Sequence, residues 1–119
     1  MNPLTAYKEN AVTTQSKGKM VVLLYDGAVR FLKQAVAALE ADDMARKNEL
    51  ILKAEAIVDE LDVSLNMEDG GELAANLHRL YDFMRRHLIE ANLQKDPQRI
   101  RDVISILSDL AGGWRAITV

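Results

Sequence analysis

Cysteine is absent from the 119 residues. That excludes disulfides, thiolate metal sites and a cysteine nucleophile, and it fits a reducing compartment. Proline occurs twice and glycine six times, so the chain has few places to break a helix. Aromatic residues make up only 5%. No apolar run approaches the roughly 18 residues needed to span a bilayer. The opening Met1-Asn2-Pro3-Leu4-Thr5-Ala6-Tyr7 lacks a basic start and an apolar stretch, so no signal peptide is expected. Positive charge is not in excess either. The net charge is −3, which makes duplex nucleic acid an unsuited partner. These absences leave a cytoplasmic protein with no membrane insertion as the expectation.

What is present is helical patterning. Hydrophobic residues reach 49% and charged residues 28%, enough for one globular domain with a real core. The breaks fall at Pro3, at Asp69-Gly70-Gly71, at Asp96-Pro97 and at Gly112-Gly113. A first helix is predicted from Ser16 as N-cap, with Val21, Leu24, Tyr25, Ala28, Phe31, Leu32, Ala35 and Leu39 on one face. A second stripe, Val22, Val29 and Val36, repeats every seven residues beside it. Together they make an arc wider than one neighbouring helix covers. A polar turn, Glu40 to Asp43, follows, with a cap at Asp42 or Asp43.

The second helix carries Leu50, Ile51, Ala54, Ile57, Val58, Leu61 and Leu65 inward and ends before Gly70. The third starts near Glu72 with Leu73, Leu77, Leu80, Tyr81, Met84, Leu88 and Ala91 on one face. The fourth has Asp96 as N-cap and Pro97 at the first helical position. Its inner face is Ile100, Val103, Ile104, Leu107, Ala111 and Trp114. This predicts an all-α fold, an antiparallel up-down four-helix bundle of residues 16–119. Residues 1–15 form an arm, extended or a short helix, in which Tyr7 is the residue best able to dock on the bundle.

Two segments echo each other. Leu24-Tyr25-Asp26 and Leu80-Tyr81-Asp82 are each followed by three residues and then by Arg-x-Leu. Asp26 with Arg30, and Asp82 with Arg86, stand one turn apart and suit exposed ion pairs. Both tyrosines suit a buried ring with a wet hydroxyl at a groove edge. Coincidence between two amphipathic helices is the alternative account of the echo. Gly27, inside a helix, implies a close approach, by a neighbouring helix or by a bound segment.

Catalytic patterns are missing: no phosphate loop, no nucleophile elbow. His78 and His87 lie nine apart and do not share a face. Ala75 and Met84 stand where a di-iron bundle would need glutamates. No cofactor, metal or enzymatic reaction is expected. His78 on an outer face leaves a histidine phosphotransfer domain open, and a generic self-associating helical domain is open too. The cluster Arg79, Arg85, Arg86 and His87 is either a solvated helix face or a docking surface for an acidic partner.

Several of these strings together resemble a known family. Ala6-Tyr7, then Val12 and Thr14 before an N-cap serine, then Leu24-Tyr25-Asp26-Gly27-Ala28-Val29-Arg30-Phe31-Leu32, are similar to the flagellin-specific export chaperones, FliS. So are Gly70-Gly71-Glu72-Leu73-Ala74-Ala75-Asn76-Leu77, Leu80-Tyr81-Asp82-Phe83-Met84, Leu88-Ile89-Glu90-Ala91-Asn92, and Leu107, Leu110 and Trp114. The resemblance spans nearly the whole chain. It departs at Lys17-Gly18-Lys19-Met20, where the family has proline and acidic residues and where fraying is expected. It departs again at Gly112-Gly113, where a break before Trp114 is expected.

The resemblance implies a chaperone that holds the disordered C-terminal segment of flagellin, prevents its premature polymerisation and presents it to the flagellar type III export apparatus. It implies an arm that covers the apolar surface until the client arrives, with Tyr7 plugging the groove. The implied contact residues are Tyr7, Val22, Leu23, Tyr25, Asp26, Gly27, Val29 and Val36, with Asn76, Tyr81 and Asn92 able to bond a client backbone. Secondary partners implied are the export gate and an anti-sigma factor or co-chaperone. A monomer or weak homodimer is expected without client.

Overall fold

The structure, a computed structural model, describes residues 3–65 and 70–117, with side chains from residue 18 onward. It has four helices: α1 (Pro3–Glu40), α2 (Met44–Val63), α3 (Gly71–Gln94) and α4 (Pro97–Ile117). Helix α1 packs on α2 and α4, and α3 packs on the same two, so α1 and α3 stand diagonally across a square bundle. This is the up-down topology that short connections impose.

The α1–α2 turn is a Schellman arrangement. Asp42 takes a left-handed φ of 60°. Its N–H donates to Leu39 O at 3.1 Å, and the Asp43 N–H donates to Ala38 O at 2.8 Å. Those bonds satisfy carbonyls that the helix end leaves orphaned. Asp43 then caps α2, its Oδ1 accepting from the Arg46 N–H at 3.2 Å. One aspartate thus closes one helix and opens the next. At the other tight turn Lys95 is left-handed, and Asp96 Oδ1 accepts from the Gln98 N–H at 3.0 Å, as the Asp96-Pro97 pattern predicts.

Helix α1 begins at Pro3, not at Ser16. Leu4 to Ala11 contains no glycine or proline, and extending a formed helix adds a hydrogen bond per residue without a new nucleus. Lys17-Gly18-Lys19 therefore lies inside α1, where no exposed N-terminal dipole opposes it, and the expected fraying does not occur. Gly112-Gly113 likewise fails to break α4, which runs on to Ile117. Glycine lowers helix stability by only about 1 kcal/mol, and Trp114 beyond it packs against the core.

The core is apolar and continuous, from Tyr25, Ala28, Leu32 and Ala35 on α1 through Ile51, Val58, Leu77, Met84 and Leu88 to Ile100, Val103 and Leu107. The heptad stripe on α1 is mostly consumed: Val29 and Val36 pack against this core. The arc is wide because α1 has two neighbours. Leu73, predicted inward, is 67% exposed, and Ala74 is buried in its place. Lys47 is the one buried charge among the described residues, at 1% exposure. Its Nζ donates to Asn92 O at 3.2 Å, meeting one of α3's terminal carbonyls. Burial pulls its pKa down, and the charge of Lys95 pulls in the same direction.

Among the described residues no close approach requires glycine at position 27. A Cβ built there meets Ile57 Cδ1 of α2 at 3.5 Å, an ordinary contact. Gly27→Ala is therefore expected to stabilise the protein by about 0.5–1 kcal/mol. Urea unfolding should show a higher midpoint with an unchanged slope; a lower midpoint would mean that the helices cannot accommodate a methyl group.

Candidate functional site

The echoed motifs meet at the centre of the bundle. Because α1 and α3 run parallel on a diagonal, their Leu-Tyr-Asp segments lie at one level. Tyr25 and Tyr81 point inward and hydrogen-bond to each other through their hydroxyls. Trp114 of α4 also hydrogen-bonds Tyr25, and since an indole N–H can only donate, the Tyr25 oxygen accepts. The expected wet hydroxyls are not found: the two tyrosines are 0% and 2% exposed. Each hydroxyl finds its partner inside, so neither needs water. Burial raises the pKa of Tyr25, against the hydrogen bonds from Tyr81 and Trp114. Burial raises Tyr81 further, and the Tyr25 hydrogen bond adds to it.

Beside this cluster one end of the bundle stays open. A cavity of about 300 Å³ is bounded by Val21 of α1, Leu61 and Leu65 of α2, Leu73 and Leu77 of α3, and Trp114 of α4. Leu73 is exposed because it faces this space. A second groove, of about 330 Å³, runs between α1 and α4 and is lined by Lys19, Val22, Leu23 and Arg115. Leu23 is 68% exposed there and Met20, next along, 62%.

The residues singled out from the sequence are distributed unevenly around these spaces. Val22 and Leu23 line the α1–α4 groove, and Tyr81 borders the open end. Tyr25 and Gly27 are buried. Val29 and Val36 are half-buried in the α1 packing. Asp26 pairs with Arg115 of α4, not with Arg30, because its face of α1 meets α4. Asp82 does pair with Arg86, at 3.6 Å. Asn76 is exposed and its Oδ1 accepts from Arg79 Nη2 at 2.7 Å. Asn92 has a buried Oδ1 with no hydrogen-bond partner. The side chain of Tyr7 lies outside the described residues. Sequence reading passed over Leu65 and Leu73 as lining residues. Their signal was an apolar residue on each side of a polar, glycine-containing turn. Lys19 and Arg115 were passed over because only the packing of α4 on α1 brings them together.

The presumed basic patch is largely neutralised. Arg85 bridges to Asp62 at 2.9 Å, Asp59 at 3.3 Å and Asp82 at 3.6 Å. His87 Nε2 stands 3.0 Å from Asp102, and His78 Nδ1 stands 2.7 Å from Asp62. Partial burial pushes the Asp62 carboxyl up. The hydrogen bonds from His78 and Arg85, and then their charges, outweigh that and hold it below the ordinary value. Among the described residues no group of three or more acidic or histidine side chains is placed to hold a metal ion. None of the described helices is long and apolar enough to cross a membrane.

A family model described as "FliS: Flagellar protein FliS" matches residues 1–119. The chain belongs to the FliS family. It is 39% identical over 114 residues to the flagellar secretion chaperone FliS of Bacillus subtilis, covering 96% of this chain and 84% of that protein. It is 41% identical over 111 residues to the FliS of Salmonella typhimurium, covering 92% and 82%. A solved structure titled as a flagellar chaperone from bacteria superposes with a TM-score of 0.82 at 22% identity, covering 98% of this chain and 97% of that one; that likeness concerns the fold. FliS is a chaperone family and not a family of enzymes. Membership does not favour the phosphotransfer or the self-associating alternative.

Within this FliS chain the tyrosine pair should behave as a unit. Tyr25→Phe or Tyr81→Phe strands one buried hydroxyl and is expected to cost about 1–3 kcal/mol. The double Phe variant should cost less than the sum of the two, because neither tyrosine hydroxyl is left facing a missing partner and only the Trp114 N–H loses its acceptor; additive losses in denaturant unfolding would show the hydroxyls uncoupled. Asp62→Asn should lower stability near neutral pH by about 1–2 kcal/mol. The folded-state pKa of Asp62 is depressed, so its contribution is present above the unfolded value and fades as pH falls through the folded one. The gap between wild type and variant should therefore close in acid, below roughly pH 4, in thermal melts taken across pH.

Proposed function

We propose that this FliS protein acts in the cytoplasm as the secretion chaperone of flagellin, holding the disordered C-terminal segment of that client until it reaches the export apparatus. The observation that carries the reading is apolar surface left over after the core is complete: Leu23 and Val22 in the α1–α4 groove, and the cavity floored by Leu77 and edged by Leu73 and Trp114. A segment with apolar helical faces polymerises through them unless they are covered, and helix-in-groove docking covers them. Two apolar spaces lined by neighbouring residues of α1 and α4 suit a client that makes more than one contact along the chaperone. A wrapped client orders on binding, which a large apolar contact must offset.

In this reading residues 1–15, which from Pro3 continue α1 in the structure, fold back as an arm that competes with the client for the open end, with Tyr7 as its plug. Val22, Leu23, Asp26 and Asn76 are the residues assigned to direct client contact, and Asn92, with its Oδ1 buried, supports the surface from within. Tyr25, Gly27, Tyr81, Val29 and Val36 shape the surface from beneath. The export gate and an anti-sigma factor or co-chaperone are further proposed partners. Without client the protein is assigned as a monomer or weak homodimer.

Titration calorimetry with the C-terminal segment of flagellin from the same organism tests this. A one-to-one complex with a negative heat-capacity change supports it, and no binding by folded protein would sink it. Leu23→Asp should weaken the complex roughly 10- to 100-fold, since burying a leucine contributes about 1.5–3 kcal/mol, with no change in helicity by circular dichroism. An unfolded Leu23→Asp protein would instead make Leu23 a core residue.

A further inference from the structure

The seam between α1 and α4 carries an unusual charge pattern. Lys19, Asp26, Lys33 and Glu40 recur every seven residues along the edge of α1 that faces α4. Seven residues is close to two turns, so the four form a row. The antiparallel α4 answers only half of them. Arg115 pairs with Asp26, and Arg101 Nη2 reaches Glu40 Oε1 at 2.8 Å. The same register sets Ser108 opposite Lys33, a hydroxyl where the neighbouring levels have charge. Both carboxylates of the row are thus occupied by arginines, while Lys19 and Lys33 are exposed and make no ion pair among the described residues. Arg30, one turn from Asp26, is also exposed and without an ion pair. A chain of net charge −3 therefore presents a basic seam, and the apolar groove of Val22 and Leu23 opens into it, flanked by Lys19 and Arg115.

We infer that this seam selects its occupant by charge as well as by apolar contact: it takes an acidic amphipathic helix of the client, whose carboxylates meet Lys19 and Lys33 while an apolar side chain between them sits on Val22 and Leu23. The inference rests on the chaperone reading for the identity of the client. It sets a spacing. Lys19 and Lys33 are four turns apart, roughly 21 Å along α1 at 1.5 Å per residue, so a client helix lying along the seam carries its acidic residues about four turns apart. Paired in this way, the lysines contribute orientation and association rate more than raw affinity.

The test uses the full chain and the C-terminal segment of flagellin from the same organism. Lys19→Glu/Lys33→Glu should bind the segment roughly tenfold or more weakly at low salt, with an unchanged melting temperature. The difference should close toward 1 M salt, where the screening length falls to about 3 Å. Lys19→Arg/Lys33→Arg should bind as wild type does. Carbodiimide coupling of the wild-type complex, read by peptide mass spectrometry, should join Lys19 and Lys33 to client carboxylates, and needs no variant to fold. A charge-reversed protein that binds like wild type at every salt, with no coupling at either lysine, overturns the inference while leaving the chaperone reading intact if Leu23→Asp still weakens binding. A wild-type protein that does not bind the segment overturns both.

Discussion

Two phenol hydroxyls placed face to face in the middle of an apolar core constrain everything around them. A buried hydroxyl without a partner costs about 1–3 kcal/mol, so Tyr25 and Tyr81 are acceptable only in a packing that brings them together. They sit on helices whose backbones do not approach each other. The pair therefore specifies the diagonal distance of the bundle and the vertical register of α1 against α3. Trp114 adds a third element, tying the C-terminal part of α4 to the same level. One polar cluster in an otherwise apolar core thus sets the relation of three helices, a specifying role that apolar packing fills less sharply.

The same cluster separates the two halves of the molecule. Below it the core is closed and its polar groups are few: Lys47 is answered by the Asn92 carbonyl, while Asn92 Oδ1 and Arg99 Nε are buried without a hydrogen-bond partner. The turns at that end are short and capped from both sides by Asp43 and Asp96. Above it, toward the α2–α3 connection, Leu65, Leu73 and Leu77 border an open cavity among the described residues.

Electrostatics divides the surface in a parallel way. On the α2–α3 side, cations and carboxylates are matched: Arg85 with Asp59, Asp62 and Asp82, and His78 with Asp62. On the α1–α4 side the carboxylates are consumed within the fold and lysines remain. Exposed apolar side chains occur on both faces, Leu52 and Val63 of α2 and Ile89 and Leu93 of α3 as well as Leu23 of α1, so it is the uncancelled positive charge that distinguishes the second.

Much of this was legible in order of residues alone. Helical spacing, the scarcity of breakers and the Asp96-Pro97 start determined four helices, their inward faces and the up-down topology, because these depend on local propensity and a period of 3.6 residues. The strings around Leu24 to Leu32 and Leu80 to Met84 determined the family. What only tertiary structure decided were matters of register. Tyr25 and Tyr81 turned inward to each other because parallel diagonal helices matched their heights. Asp26 chose Arg115 over Arg30, and within the basic cluster on α3 Arg85 was paired from α2 and His87 from α4, because those partners lie far away in sequence. Leu73 stayed exposed on an inward face because burial depends on whether another element reaches that level. Helix α1 ran past Ser16 because a capping residue stops a helix only when the chain before it has somewhere better to go.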